Sequence, residues 1–152
     1  MNFNFMILGM LFAFFKITGQ YLKLKIMTKR LVIIDDEETC RILYTHLLQN
    51  IPGVKIIAEF ENAEQALVQI PEMKVDIVIV DYVLPGMSGI ECAERLRKFP
   101  EIKVLLATGH ESGYINSKLN GTQNFEIIQK DWSKRGLDRI EEFCKDTARR
   151  DF

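Results

Sequence analysis

From Met27 onward, short apolar runs alternate with stretches whose apolar residues recur at helical spacing. Leu31–Ile34 is continuously apolar, as suits a strand buried on both faces of a sheet. Cys40, Leu43, Tyr44, Leu47 and Leu48 then repeat with the period of a helix, and Pro52-Gly53 stops it. Val54–Phe60 reads as a second strand, and Ala63, Ala66, Leu67 and Ile70 as a second helix closed by Pro71. Val75–Val80 is the most β-branched run and predicts the third strand. Ile90, Ala93 and Leu96 mark a third helix ended by Pro100, and Ile102–Ala107 a fourth strand. Glu111–Asn120 predicts another helix, with Gly121 at its C-terminal stop. Phe125–Gln129 reads as a fifth strand, and Trp132–Arg149 as a last helix with Leu137, Ile140 and Cys144 on one face.

Strand–helix units in succession predict an α/β fold, a doubly wound five-stranded parallel sheet with helices on both faces. Right-handed crossovers leave few topologies, and the ligand belongs at the carboxyl ends of the strands, near the switch in strand order.

Residues 1–26 break this pattern. Phe3–Phe15 is almost wholly apolar, and Lys16, Lys23 and Lys25 follow with no acidic residue in the segment. A membrane helix needs roughly 20 apolar residues, and Lys16 interrupts this run sooner. A signal peptide calls for a positive charge before the apolar run and small residues after it, and neither is there. Met27 begins MTKRLVIIDDEE, which reads as a natural start ahead of the first strand. Three explanations stand: a mis-chosen start, a hydrophobic membrane anchor, or an added element of the fold. An anchor would keep the part after the lysines in the cytoplasm. The expected division is a hydrophobic extension over 1–26 and one domain over 27–152.

Composition adds exclusions. The formal net charge of -1 offers no electrostatic grip on DNA or RNA. Cys40, Cys92 and Cys144 are odd in number, widely spaced and without a CxxC pair, which predicts reduced thiols in or near the core rather than zinc ligands or disulfides. His46 and His110, the only histidines, suit neither metal spacing nor a catalytic triad.

The polar residues at the predicted strand ends carry the chemistry. The first strand ends in Asp35-Asp36-Glu37-Glu38, the third in Asp81, the fourth in Thr108-Gly109 and the fifth in Gln129-Lys130-Asp131. In a doubly wound sheet these points converge. Asp35, Asp36 and Asp81 held together repel one another, raising at least one pKa unless a cation intervenes. Mg²⁺ resolves the conflict: it prefers oxygen ligands and typically uses one or two carboxylates plus phosphate oxygens. It would also neutralise an incoming phosphoryl group while one carboxylate attacks. Lys130 can hold a phosphoryl oxygen, Thr108 can donate a hydrogen bond to another, and Gly109 leaves space beside them. Glu37 and Glu38 fit the ordinary role of acids at a helix start.

The segments LVIIDDEE, DIVIVDYVLPGMSGIE, VLLATGH and IIQK resemble the bacterial response-regulator receiver family, over essentially all of Met27–Phe152. The resemblance implies a flavodoxin-like receiver fold with Asp81 as phosphoacceptor. It implies Asp36 as a direct Mg²⁺ ligand, Asp35 as a ligand through water and the Val83 backbone carbonyl completing the protein's share. Thr108 would be the switch hydroxyl and Lys130 the phosphate-binding lysine. The donor would be a sensor histidine kinase or a histidine phosphotransfer protein, and the only enzymatic activity self-phosphorylation and self-dephosphorylation. Since the chain ends soon after its last predicted helix, the expectation is a single-domain, cytoplasmic regulator acting on an unidentified protein partner. Its output surface would be the predicted 111–120 helix, the fifth strand and the last helix. Membrane contact is expected only if residues 1–26 are part of the protein.

Departures from the family are specific. Pro usually follows the lysine, often through a cis bond, and Asp131 stands there; a cis bond before a non-proline residue is costly. Ile127 occupies the position of the usual aromatic switch, with Phe125 two residues earlier, and Ser88 stands where Asp is common. Asp131 and Ile127 support an alternative, a degenerate receiver that binds proteins without phosphorylation. Two other classes fit less well. A haloacid-dehalogenase-like phosphatase needs an acid two residues after its nucleophile, where this chain has Val83. A flavodoxin-like cofactor binder needs hydroxyls and glycines in its first loop, where Asp35-Asp36-Glu37-Glu38 would repel phosphate.

Val83 and His110 occupy the two positions that flank the phosphoryl group in the family. An apolar Val83 excludes the attacking water, so Val83→Asn is expected to shorten the lifetime of a phosphoryl group on Asp81, measured as decay of the phosphorylated mass. An unchanged decay rate counts against this role.

Overall fold

The computed structural model describes residues 28–109 and 125–145. The expected extension over 1–26, the helix predicted over 111–120 with its Gly121 stop, His110 and the end of the last predicted helix lie outside the described residues.

Five strands form one parallel sheet: β1 (Lys29–Ile34), β2 (Val54–Phe60), β3 (Ile77–Asp81), β4 (Lys103–Thr108) and β5 (Glu126–Gln129), in the order β2-β1-β3-β4-β5. Helices α1 (Glu38–Leu48), α2 (Ala63–Gln69), α3 (Gly89–Leu96) and α4 (Lys134–Lys145) flank it. The order switches between β1 and β3, the crevice the sequence pointed to. Among the described residues no helix is long and apolar enough to cross a membrane.

The continuous apolar runs of the strands are explained by cores on both faces. Val32, Ile34, Val78, Val80, Val104 and Leu106 point to one face, where Ala63 and Ala66 of α2 and Cys92, Ala93 and Leu96 of α3 cover them. Their neighbours Leu31, Ile33, Ile77, Ile79 and Leu105 point to the other, against Tyr44 and Leu48 of α1 and Ile140, Phe143 and Cys144 of α4. Alternation along each strand feeds both layers, which is why no polar residue interrupts Leu31–Ile34 of β1 or the first four positions of β3. Cys40, Cys92 and Cys144 are buried and unpaired.

Two details add to the sequence reading. The second α-helix stops at Gln69, ahead of Pro71, and Pro71 sits in a 3₁₀ turn, Ile70–Glu72, that follows it directly. Pro fits there because the first turn of a helix has no use for its missing N–H. The third strand starts at Ile77 and includes Asp81. Asp76 precedes it, its carboxylate accepting from the Arg30 N–H at 2.8 Å.

The start of α3 lies directly on the end of β3. The Gly89 N–H donates to the Tyr82 carbonyl at 3.2 Å. A Cβ at Gly89 would fall 1.9 Å from the Asp81 carbonyl oxygen, so a glycine is required for this approach. Gly89→Ala is expected to destabilise the protein by about 1–3 kcal/mol through overpacking, read from urea unfolding midpoints. No measurable loss would show that α3 can back away from β3 freely.

Candidate functional site

Parallel register brings the strand ends to one edge. Ile34 is level with Val80, Asp81 with Ala107, and Thr108 with Gln129. Backbone bonds close the seams: Asp35 N–H to the Phe60 carbonyl at 3.0 Å, Tyr82 N–H to Ala107 at 2.7 Å, and Lys130 N–H to Thr108 at 2.7 Å. Asp35, Asp36, Asp81, Thr108 and Lys130 therefore leave the sheet on the same side.

Carboxylate oxygens of Asp35, Asp36 and Asp81 lie within 4.8 Å of one another. Asp35 and Asp81 are buried and Asp36 is exposed. Lys130 bridges the buried pair, its Nζ 2.8 Å from Asp35 Oδ2 and 3.0 Å from Asp81 Oδ1. The Glu37 N–H donates to Asp35 Oδ1 at 3.0 Å, whereas the buried Oδ2 has the ion pair but no hydrogen bond of good geometry.

The charges do not balance, and the proton affinities show it. Burial pushes the Asp81 carboxyl up; the Lys130 hydrogen bond and charge oppose this, Asp35 and Asp36 add to it, and the net direction is upward. Burial alone would lower the Lys130 ammonium, but the hydrogen bonds and charges of Asp35 and Asp81 outweigh it and hold its pKa above the ordinary lysine range. Asp81 rises mainly because it is buried, and Lys130 because two carboxylates flank its ammonium. The surplus negative charge, the all-oxygen donor set and the opening at Asp36 fit Mg²⁺, a hard cation that binds through carboxylates and keeps several waters.

Thr108 is fully buried at the end of β4. Val83 stands in the β3–α3 loop with 60% of its surface exposed. Gly109 has open space where a side chain would be. Ser88 caps α3, its Oγ accepting from the Glu91 N–H at 3.2 Å. His46 is exposed near the far end of α1 and takes no part in the site.

The two departures beside the lysine have structural roles. The described residues contain no cis peptide bond, so Lys130–Asp131 is trans. Asp131 Oδ1 accepts from the Ser133 N–H at 2.9 Å just ahead of α4, and the hydrogen bonds from Ser133 hold its carboxyl below the usual range. Ile127 is buried beside Phe125 in the layer covered by α2 and α3.

Sequence reasoning missed the residues that brace the acids. Arg41, in the first turns of α1, donates from Nη1 to the Asp35 carbonyl at 2.8 Å and the Asp36 carbonyl at 3.3 Å. Its Nη2 donates to Glu61 Oε1 at 3.3 Å. The available signal was a lone arginine between the buried positions Cys40 and Tyr44. Cys40 Sγ–H donates to Glu37 Oε2 at 3.1 Å and the thiol lies 3.8 Å from Lys130 Nζ. Burial, then the Glu37 hydrogen bond, raises this thiol to about 11, so it is not a nucleophile. Tyr44 stacks edge-on with Trp132, ring centroids 4.9 Å apart, joining α1 to the segment after Lys130.

A family model, the response regulator receiver domain, matches residues 31–140. The response regulator GacA of Pseudomonas viridiflava is 32% identical over 80 residues, covering 52% of this chain and 37% of GacA. The chain thus spans well under half the length of the curated relatives it matches. Among solved structures, the signal receiver domain of NarL from Mycobacterium tuberculosis superposes with a TM-score of 0.64 at 25% identity, covering 78% of this chain and 98% of that one. The response regulator TrrA from Thermotoga maritima, solved in complex with Mg²⁺-BeF, gives a TM-score of 0.64 at 30% identity over 76% of this chain and 98% of that one.

The raised pKa of Asp81 predicts a stability effect. In the fold its charged form is disfavoured relative to the unfolded chain, so the penalty is full above the folded-state pKa and fades as pH falls through it. In EDTA, Asp81→Asn is expected to raise the thermal midpoint at neutral pH, with the gain shrinking on acidification. A lowered midpoint at neutral pH would show that the Lys130 ion pair outweighs the cost of burial.

Proposed function

The chain belongs to the response regulator receiver family, with its flavodoxin-like fold, and on that premise we propose that Asp81 accepts a phosphoryl group in a Mg²⁺-dependent reaction. The observation that carries this reading is the convergence of Asp35, Asp36 and Asp81 around Lys130 at the carboxyl edge of the sheet.

In this reading a carboxylate oxygen of Asp81 attacks the phosphorus of a phosphohistidine on a sensor kinase or phosphotransfer protein, or of a small phosphodonor. The new O–P bond forms as the bond from phosphorus to the donor's leaving atom breaks, and the leaving group keeps that electron pair. Asp36 directly, Asp35 through water, Asp81 and the Val83 carbonyl would hold Mg²⁺. When bound, it supplies positive charge against the phosphoryl oxygens and the clustered acids. Lys130 turns from its carboxylate bridge to a phosphoryl oxygen, and the Thr108 hydroxyl draws toward another. Signalling then proceeds in the cytoplasm by binding of a partner protein to a surface biased by Thr108, with catalysis confined to self-phosphorylation and self-dephosphorylation.

The burial of Ile127 in the core, where an aromatic switch is usual, favours a second reading in which the domain binds partners without phosphorylation. Intact-mass measurement after incubation with Mg²⁺ and acetyl phosphate decides between them. One added phosphoryl group, lost in Asp81→Asn and in EDTA, is expected. No adduct with acetyl phosphate or with phosphorylated kinase domains would establish the second reading instead.

A further inference from the structure

The β3–α3 loop leaves Asp81 and carries Val83, so its path decides where the Val83 carbonyl stands relative to the acids. Its start is tied at Tyr82, whose N–H donates to the Ala107 carbonyl. Pro85 and Gly86 then turn the chain, with Gly86 at a φ of 75°, the left-handed conformation that a type II turn requires at its third residue. Just past this turn the Met87 N–H donates across 23 residues to Glu64 Oε1, at 2.9 Å.

Glu64 lies in the first turn of α2, outside the acid cluster. It is an exposed residue. Its carboxylate nevertheless lies flat on the turn: a Cβ at Gly86 would fall 2.6 Å from Oε1. The Met87 side chain is buried beneath it, in the layer formed with α2 and α3. A positive φ at Gly86, an absent side chain at the same residue and a buried anchor at the next all serve this one contact. An exposed surface glutamate with no role would leave the Met87 N–H free to bond to water.

We propose that Glu64 is a positioning residue for the acceptor site, holding the β3–α3 loop so that the Val83 carbonyl stays at the acid cluster. The inference rests on the reading of Asp81, Asp35, Asp36 and the Val83 carbonyl as the Mg²⁺ site. Its action runs through the Met87 N–H, so what matters is an acceptor oxygen at that point, and the negative charge does not.

Wild type, Glu64→Gln and Glu64→Ala separate these terms, because Gln keeps an acceptor oxygen in reach and Ala removes it. Exchange of the Met87 amide proton, followed by NMR in EDTA, is expected to be slow in wild type and Glu64→Gln and at least tenfold faster in Glu64→Ala. The Mg²⁺ dissociation constant from NMR titration is expected to rise five- to twentyfold in Glu64→Ala and to stay within twofold in Glu64→Gln. Circular dichroism melts verify that each variant is folded; should Glu64→Ala unfold, Glu64→Asp, which draws the carboxylate back by one methylene, takes its place with the same expected direction. Equal Mg²⁺ affinity in Glu64→Ala and wild type overturns the proposal, as does a Glu64→Gln variant as weak as Glu64→Ala. A wild type that shows no Mg²⁺-dependent shifts at Asp36 or Asp81 instead overturns the site reading, while the Met87 exchange data still report whether the clasp forms.

Discussion

The ion pairs from Lys130 to Asp35 and Asp81 join the ends of three strands, and Lys130 must reach across β4 to make them. The pairs form only if β1, β3 and β5 are parallel, in register, and close on the same edge. They are also incomplete, since Lys130 pairs with Asp35 and Asp81 while Asp36 adds a third carboxylate to the cluster. A fold that buries Asp35 and Asp81 beside exposed Asp36 stores unfavourable charge at a single point, and the upward direction of the Asp81 pKa reflects it. Lys130 alone does not neutralise the three clustered carboxylates.

Holding the acids together requires bracing from elements that carry no chemistry. Arg41 binds the carbonyls of Asp35 and Asp36 from α1. α3 presses on the Asp81 backbone at Gly89, and α2 reaches the following loop through Glu64. Each brace is short and polar, and each works because the two apolar layers fix the helices first. The large burial terms set the positions of helices, and single hydrogen bonds then set the loops between them.

The departures from the family pattern fall on the side of readout. Asp131 spends its carboxylate on the Ser133 N–H at the start of α4, and the Tyr44–Trp132 contact packs the same segment against α1. Ile127 is committed to the core. None of these removes an oxygen from the acid cluster or displaces Lys130.

The sequence by itself determined the five strands, the helices among the described residues and the parallel class of the sheet. Continuous β-branched runs, helical spacing and the Pro-Gly stops are local properties, and they placed Asp35, Asp36, Asp81, Thr108 and Lys130 at strand ends before any contact was seen. The limits of β3 were not legible, because Val75 and Asp76 fall outside it and Asp81, a polar residue, falls inside. The strand order, the Lys130 bridge and the roles of Arg41 and Glu64 were decided only by the tertiary structure. The Lys130 and Glu64 contacts link residues far apart in the chain, and whether an arginine or a glutamate on a helix meets water or a loop depends on how that helix is rotated against the sheet, which no local pattern specifies.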